Sequence, residues 1–88
     1  MKLIRVGAIW CPACLIMRPR YNKVLKNYPD IESIEYDYDM DSDIVNTYKI
    51  GKLLPEVILL DDNNNELIRI IGEVKEQKIN DIISKYRK

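Results

Sequence analysis

The two cysteines of this chain, Cys11 and Cys14, stand three residues apart where an apolar run gives way to a helical pattern. That junction constrains the segments on both sides of it. Residues 3–9, Leu-Ile-Arg-Val-Gly-Ala-Ile, are mostly apolar and partly β-branched, which predicts a buried strand. From Pro12 onward Leu15, Ile16, Met17, Val24 and Leu25 fall near helical spacing, while Arg18, Arg20, Lys23 and Lys26 share the solvated side. A helix therefore starts just after Cys11, with proline in the first turn, where the missing N–H costs nothing. Pro19 lies inside the pattern and predicts a kink. Tyr28-Pro29-Asp30 ends the helix.

This placement gives the sulfurs distinct chemistry. Unpaired backbone N–H groups and the positive end of the helix dipole favour thiolate over thiol at such a junction. Cys11 is expected to be the attacking group. Cys14, one turn further in and expected to be the less exposed of the two, is close enough to pair with it. Attack by Cys11 on a partner's disulfide would give a mixed disulfide, which Cys14 then resolves.

The rest of the chain supplies a sheet and its cover. Residues 31–38 alternate loosely, with Ile34, Tyr36 and Tyr38 on one face of a second strand. Residues 41–48 read as a short helix with Asp41 or Ser42 as N-cap, ended by Gly51. After Pro55, residues 57–60 and 66–71 form a hairpin around the polar turn 61–65. Val74, Ile79, Ile82, Ile83 and Tyr86 then recur at helical intervals in a closing amphipathic helix. The expected class is α/β, with the order β-α-β-α-β-β-α and a four-stranded mixed sheet flanked by helices. At 88 residues the chain is read as a single domain over 1–88, because so short a chain hides only about 60% of its unfolded surface.

Composition narrows the function. The chain has no histidine, which removes the usual general base and the commonest transition-metal ligand. Fourteen basic and fourteen acidic side chains leave no surplus positive charge, so nucleic acid is not an expected partner. No apolar run approaches the roughly 20 residues of a membrane span. The N-terminal segment carries Lys2 and Arg5 but no long apolar stretch with a small-residue cleavage site, and the cytoplasm is the expected location. Two other readings of the cysteines remain. A purely structural disulfide would gain little, since even a loop of ~15 residues contributes only about 3 kcal/mol. Half of a zinc site would need a second chain to complete its four ligands.

Trp10-Cys11-Pro12-Ala13-Cys14 resembles the W-C-x-x-C active site of the thioredoxin/glutaredoxin superfamily, and Pro19 coincides with the proline inside the thioredoxin active-site helix. Tyr48-Lys49-Ile50 followed by Leu54-Pro55 is similar to the stretch leading to that family's cis-proline. Gly72 and the helix behind it also fit the pattern. The resemblance covers nearly the whole chain and implies a compact thioredoxin-like fold. It further implies a cis Leu54-Pro55 bond, Pro55 packed beside the sulfurs, and a Leu54 backbone that pairs with substrate; an ordinary trans proline at a strand start is the alternative. Trp10, Pro12, Ala13, Leu54, Pro55 and Gly72 would shape an apolar groove around the cysteines.

Departures from the family pattern are equally informative. Leu53-Leu54-Pro55 and Gly72-Glu73 stand where glutaredoxins have Thr-Val-Pro and a Gly-Gly-x-Asp glutathione site. Thioredoxins keep a buried acidic residue six positions before the first cysteine, with a lysine partner on the next strand; here the positions hold Arg5 and Glu35. Two readings follow. Arg5 and Glu35 form a charge-swapped pair beneath the site, Glu35 assisting proton movement at Cys14, or Arg5 reaches solvent and Glu35 is surface.

The alternation of Asp37, Asp39, Asp41 and Asp43 fails the calcium-loop template, because Ser42 and Tyr48 stand where glycine and glutamate are required. The expected function is therefore thiol–disulfide oxidoreductase, a cytoplasmic reductant of protein disulfides. The Cys11-Cys14 disulfide is its only redox group, with no metal and no organic cofactor. Its partners would be protein disulfide substrates and a reductase or dithiol donor, and it would act as a monomer. The rival is a thioredoxin-like binding module whose cysteines are incidental or hold zinc between two chains.

Overall fold

The computed structural model describes residues 1–87. Its elements are β1 (Lys2–Gly7), α1 (Pro12–Leu25), β2 (Glu32–Asp37), α2 (Ser42–Thr47), β3 (Glu56–Leu60), β4 (Glu66–Ile71) and α3 (Glu76–Tyr86). The strands form one sheet in the order β2-β1-β3-β4, with β1 parallel to β2 and β3 antiparallel to both β1 and β4. The expected element order and mixed sheet are both present.

The sequence pattern explains why β1 and β3 lie in the middle. Residues 3–6 are all buried, as are all five residues of β3, so both faces of these strands need cover. Leu3, Val57 and Leu59 face a core completed by Met17, Tyr21 and Val24 of α1 and by Ile79 and Ile83 of α3. Ile4, Val6, Ile58 and Leu60 face a second core that contains Cys11, Ile50 and Leu54, with Ile44 and Val45 of α2 packed against it. The site thus follows the end of β1 and belongs to the second core, which Cys14 also packs against.

Several boundaries differ from expectation. β1 stops at Gly7 rather than Ile9, because the Cys11 N–H bonds back to the Ala8 carbonyl at 3.2 Å and turns the chain. Ile9 and Trp10 are thrown outward by that turn. α1 continues through Pro19 and ends at Leu25, ahead of Tyr28-Pro29. α2 ends at Thr47, capped by Tyr48, and Lys49 takes a left-handed φ of 53°, so Gly51 is not its terminator. Asp41 is the N-cap residue of α2, but its side chain accepts from the Asp37 N–H at 2.7 Å rather than from the helix.

Candidate active site

Cys11 occupies the N-cap of α1, in extended backbone conformation, and its Sγ accepts from the Cys14 N–H at 3.3 Å. An N-cap ordinarily offers a hydroxyl or carboxylate oxygen to these unpaired donors; here a sulfur takes that place. The first turn contains no acidic residue to compete for them. On its other side the Cys11 thiol donates to the Leu54 carbonyl at 3.5 Å. Both cysteines are free thiols, so the structure shows the reduced pair.

The exposures of the sulfurs reverse the expectation. Cys11 is only 6% exposed, whereas Cys14 is half-buried. Cys11 is covered by the segment around Leu54 and Pro55. Cys14 instead faces a cavity of about 380 Å³ beneath α1, which Arg5, Tyr21, Glu35, Asp37 and Asp41 also line. Its Sγ is held close to β1: a Cβ added at Gly7 would lie 3.3 Å away, so the absence of a side chain there makes room for the sulfur. Burial, reinforced by the hydrogen bond with Cys11, pushes the Cys14 thiol up to about 11, and the Ala8 backbone offsets this only in part. Cys14 is thus a protonated thiol near neutrality, and a proton must leave it before it can attack.

Of the other expected residues, Leu54 meets Cys11 directly, Ala13 shares its core, and Gly72 reaches the site through Pro55. The Leu54-Pro55 bond is cis. Gly72 has a φ of 81°, a conformation that favours glycine, and its N–H donates to the Pro55 carbonyl at 2.9 Å. Pro12 is exposed at the start of α1, and Ala13 packs on the core that contains Cys11. Trp10 is exposed and donates its Nε1–H to Asp39 Oδ2 at 2.7 Å, with its ring edge-on to Tyr38. Sequence reasoning weighed Asp39 only against a calcium-loop template and did not connect it with Trp10. Asp39 places the indole through a contact across 29 residues, for which the sequence carries no local signal. Ile9 and Leu53 were also missed; they are 87% and 74% exposed and add apolar surface to segments that carry the site.

Arg5 and Glu35 are register partners on β1 and β2 and form an ion pair. Arg5 is 8% exposed and also donates to Asn22 Oδ1 at 3.0 Å, with its guanidinium 5.9 Å from the centre of the Tyr21 ring. Burial first, and repulsion from Arg18 second, lower the pKa of Arg5. Glu35 is partly exposed and is bound a second time by Arg18 at 3.2 Å. The pair therefore forms and Arg5 does not reach solvent, whereas Glu35 lies on the edge strand and is partly exposed, as the second reading expected. Tyr21 contributes a buried hydroxyl without a partner among the described residues. No group of three or more potential metal ligands occurs among the described residues.

Comparison with known proteins places this geometry. The thioredoxin family model matches residues 1–85. A thioredoxin of Ophiophagus hannah is 30% identical over 97% of this chain and 80% of its own length. Among solved structures, thioredoxin-2 of the malaria parasite superposes with a TM-score of 0.87 at 27% identity, over 97% of this chain and 82% of the other. A thioredoxin of Nicotiana alata gives 0.84 at 30% identity, over 99% and 75%.

The raised Cys14 pKa has a pH signature. A thiol whose pKa is raised to about 11 gains thiolate roughly tenfold per pH unit until that value is approached. In the reduced, unmodified chain, the initial rate of iodoacetamide alkylation at Cys14, resolved from Cys11 by peptide mass spectrometry, should keep rising through pH 10. A plateau by pH 9 would contradict the assigned burial.

Proposed function

The chain belongs to the thioredoxin family and is a thiol–disulfide oxidoreductase, and on that premise we propose that it acts as a reductant of protein disulfides in the cytoplasm. The observation that carries the reading is the position of Cys11 Sγ, held between the Cys14 N–H and the Leu54 carbonyl. Exposed Trp10 adjoins it in sequence, and exposed Leu53 adjoins Leu54. A partner's disulfide segment can lie along such a surface and meet the sulfur end-on.

The reaction runs in two exchanges. The Cys11 thiolate attacks one sulfur of the partner's disulfide; a Cys11–partner bond forms and the partner's other sulfur leaves as a thiolate that takes up a proton. Cys14 then loses its proton and attacks Cys11 Sγ, so that the Cys11–Cys14 disulfide forms and the partner's second thiol departs. Two electrons pass to the partner. A reductase or another dithiol protein restores the reduced pair, and no group beyond the two cysteines is required for the transfer.

The proton leaving Cys14 is assigned to the cavity behind it, with Glu35 as acceptor. Support comes from the shared lining: Cys14, Arg5, Tyr21 and Glu35 border one space, and Glu35 connects it to solvent. Arg5 and Arg18 hold that carboxylate in place at the edge of the cavity.

Two experiments test these assignments. A Cys14→Ser variant should accumulate a mixed disulfide with a reducible protein substrate through Cys11, and Cys11→Ser should form none. Non-covalent binding that survives both changes would favour a binding module instead. Glu35→Gln should slow mixed-disulfide resolution at pH 7 by roughly tenfold or more. The deficit should fade toward pH 11, where Cys14 ionises unaided. An equal rate at pH 7 would remove Glu35 from the proton route.

A further inference from the structure

A second charged group is buried in the fold, on the opposite face of the sheet from Arg5, and the exchange chemistry has not used it. Glu56, the residue after Pro55, is 2% exposed. Its Oε2 accepts from Arg69 Nη1 at 2.5 Å, and its Oε1 accepts from the Gly51 N–H at 3.1 Å. The same Arg69 nitrogen donates to the Tyr48 carbonyl at 2.8 Å, while the rest of its guanidinium is held by Glu66 on β4. A buried carboxylate is costly unless paired and fully hydrogen-bonded, and a hydrophobic replacement is often no less stable. Stability alone therefore gives little reason for a pair at this place.

Its contacts converge on one segment. Tyr48 and Gly51 flank Lys49, whose left-handed φ turns the chain away from α2. The pair grips this turn from both sides, at the Tyr48 carbonyl and at the Gly51 N–H. The chain then runs through exposed Leu53 to Leu54, whose carbonyl receives the Cys11 thiol, and to Pro55. The Gly72 N–H fixes the far end of the segment at the Pro55 carbonyl. Without the Glu56 and Arg69 contacts, residues 49–53 would have few bonds to anchor them: Ile50 is buried and donates to the Val45 carbonyl, and Lys49 donates to Asn46, both contacts internal to the α2 region.

We propose that Glu56 and Arg69 are positioning residues for disulfide exchange, holding segment 48–55 so that Leu53 and the Leu54 backbone form a fixed wall of the surface that receives the substrate beside Cys11. The pair touches neither sulfur. It acts through the segment, by removing conformations that would otherwise have to be frozen out when a partner binds. The inference rests on the oxidoreductase reading.

The test is steady-state reduction of insulin disulfides, with dithiothreitol regenerating the dithiol. Activity of the unmodified chain establishes the underlying reading first, so its failure is seen separately. Glu56→Gln keeps an acceptor for the Gly51 N–H but loses the charge that holds Arg69. It should raise KM for insulin about fivefold, the scale of one lost hydrogen bond, while kcat stays within about twofold. Arg69→Lys, which keeps the charge but not the fork, should give a smaller rise in KM. If Glu56→Gln does not fold, Glu56→Gln/Arg69→Met, which leaves no orphan charge, is measured in the same way with the same expected rise. An unchanged KM in the folded variant, or a loss confined to kcat, overturns the assignment whatever the melting temperature does.

Discussion

The structure depends on a cysteine sulfur serving as the cap of a helix. A strand that feeds a helix directly leaves the first-turn N–H groups without partners, and something must accept from them. At Cys11 the acceptor is the sulfur itself, which takes the Cys14 N–H. The requirement that starts the helix well is therefore the same one that fixes the position of the reactive sulfur. It also fixes where everything else must stand. β1 has to deliver Cys11 from the middle of the sheet, α1 has to bring Cys14 back one turn later against Gly7, and Leu54 has to come over the top.

Two buried charges, one on each face of the sheet, support this arrangement. Arg5 lies on the α1 face and is paired across to Glu35 on β2; Glu56 lies on the α2 face and is paired across to Arg69 on β4. Each pair links a central strand to an edge strand, and each adjoins a different half of the site. The first borders the cavity that Cys14 faces, and the second grips the segment that carries Leu54. Buried pairs of this kind contribute little net stability, because desolvation offsets their attraction. Their value here is geometric and electrostatic. The zero net charge of the chain conceals this organisation, since the charges that matter are few and internal.

Much of this was legible in the sequence because its signals are local. Apolar runs, helical spacing, Pro12 beside Cys11 and the turn at 61–65 identify the elements, and the Cys-x-x-Cys spacing identifies the chemistry. The resemblance to thioredoxins even placed Arg5 opposite Glu35, by the positions where that family keeps a buried acid and its lysine partner, and the two are register partners on β1 and β2. What was missed depends on contacts distant in sequence. The relative exposure of the sulfurs is decided by a segment some forty residues away that covers Cys11, as its contact with Leu54 spans 43 positions. Asp39 reaches Trp10 only after β2 has aligned with β1. Glu56 has the composition of a surface residue, and its burial becomes intelligible only once Arg69, Gly51 and Tyr48 surround it. Ile9 was read as part of the buried strand because apolarity alone does not reveal a turn closed by the Cys11 N–H.

The central claim is that Cys11 and Cys14 form a reversible redox couple that works in the reducing direction. The most direct test is the reduction potential of the pair, equilibrated against glutathione and dithiothreitol buffers and read by thiol alkylation and by the fluorescence of Trp10, the only tryptophan and the neighbour of Cys11. A single two-electron transition near or below about −250 mV is the predicted result. A potential above about −200 mV would contradict the reducing role, and the absence of any transition, or alkylation blocked by stoichiometric zinc, would contradict the redox couple itself.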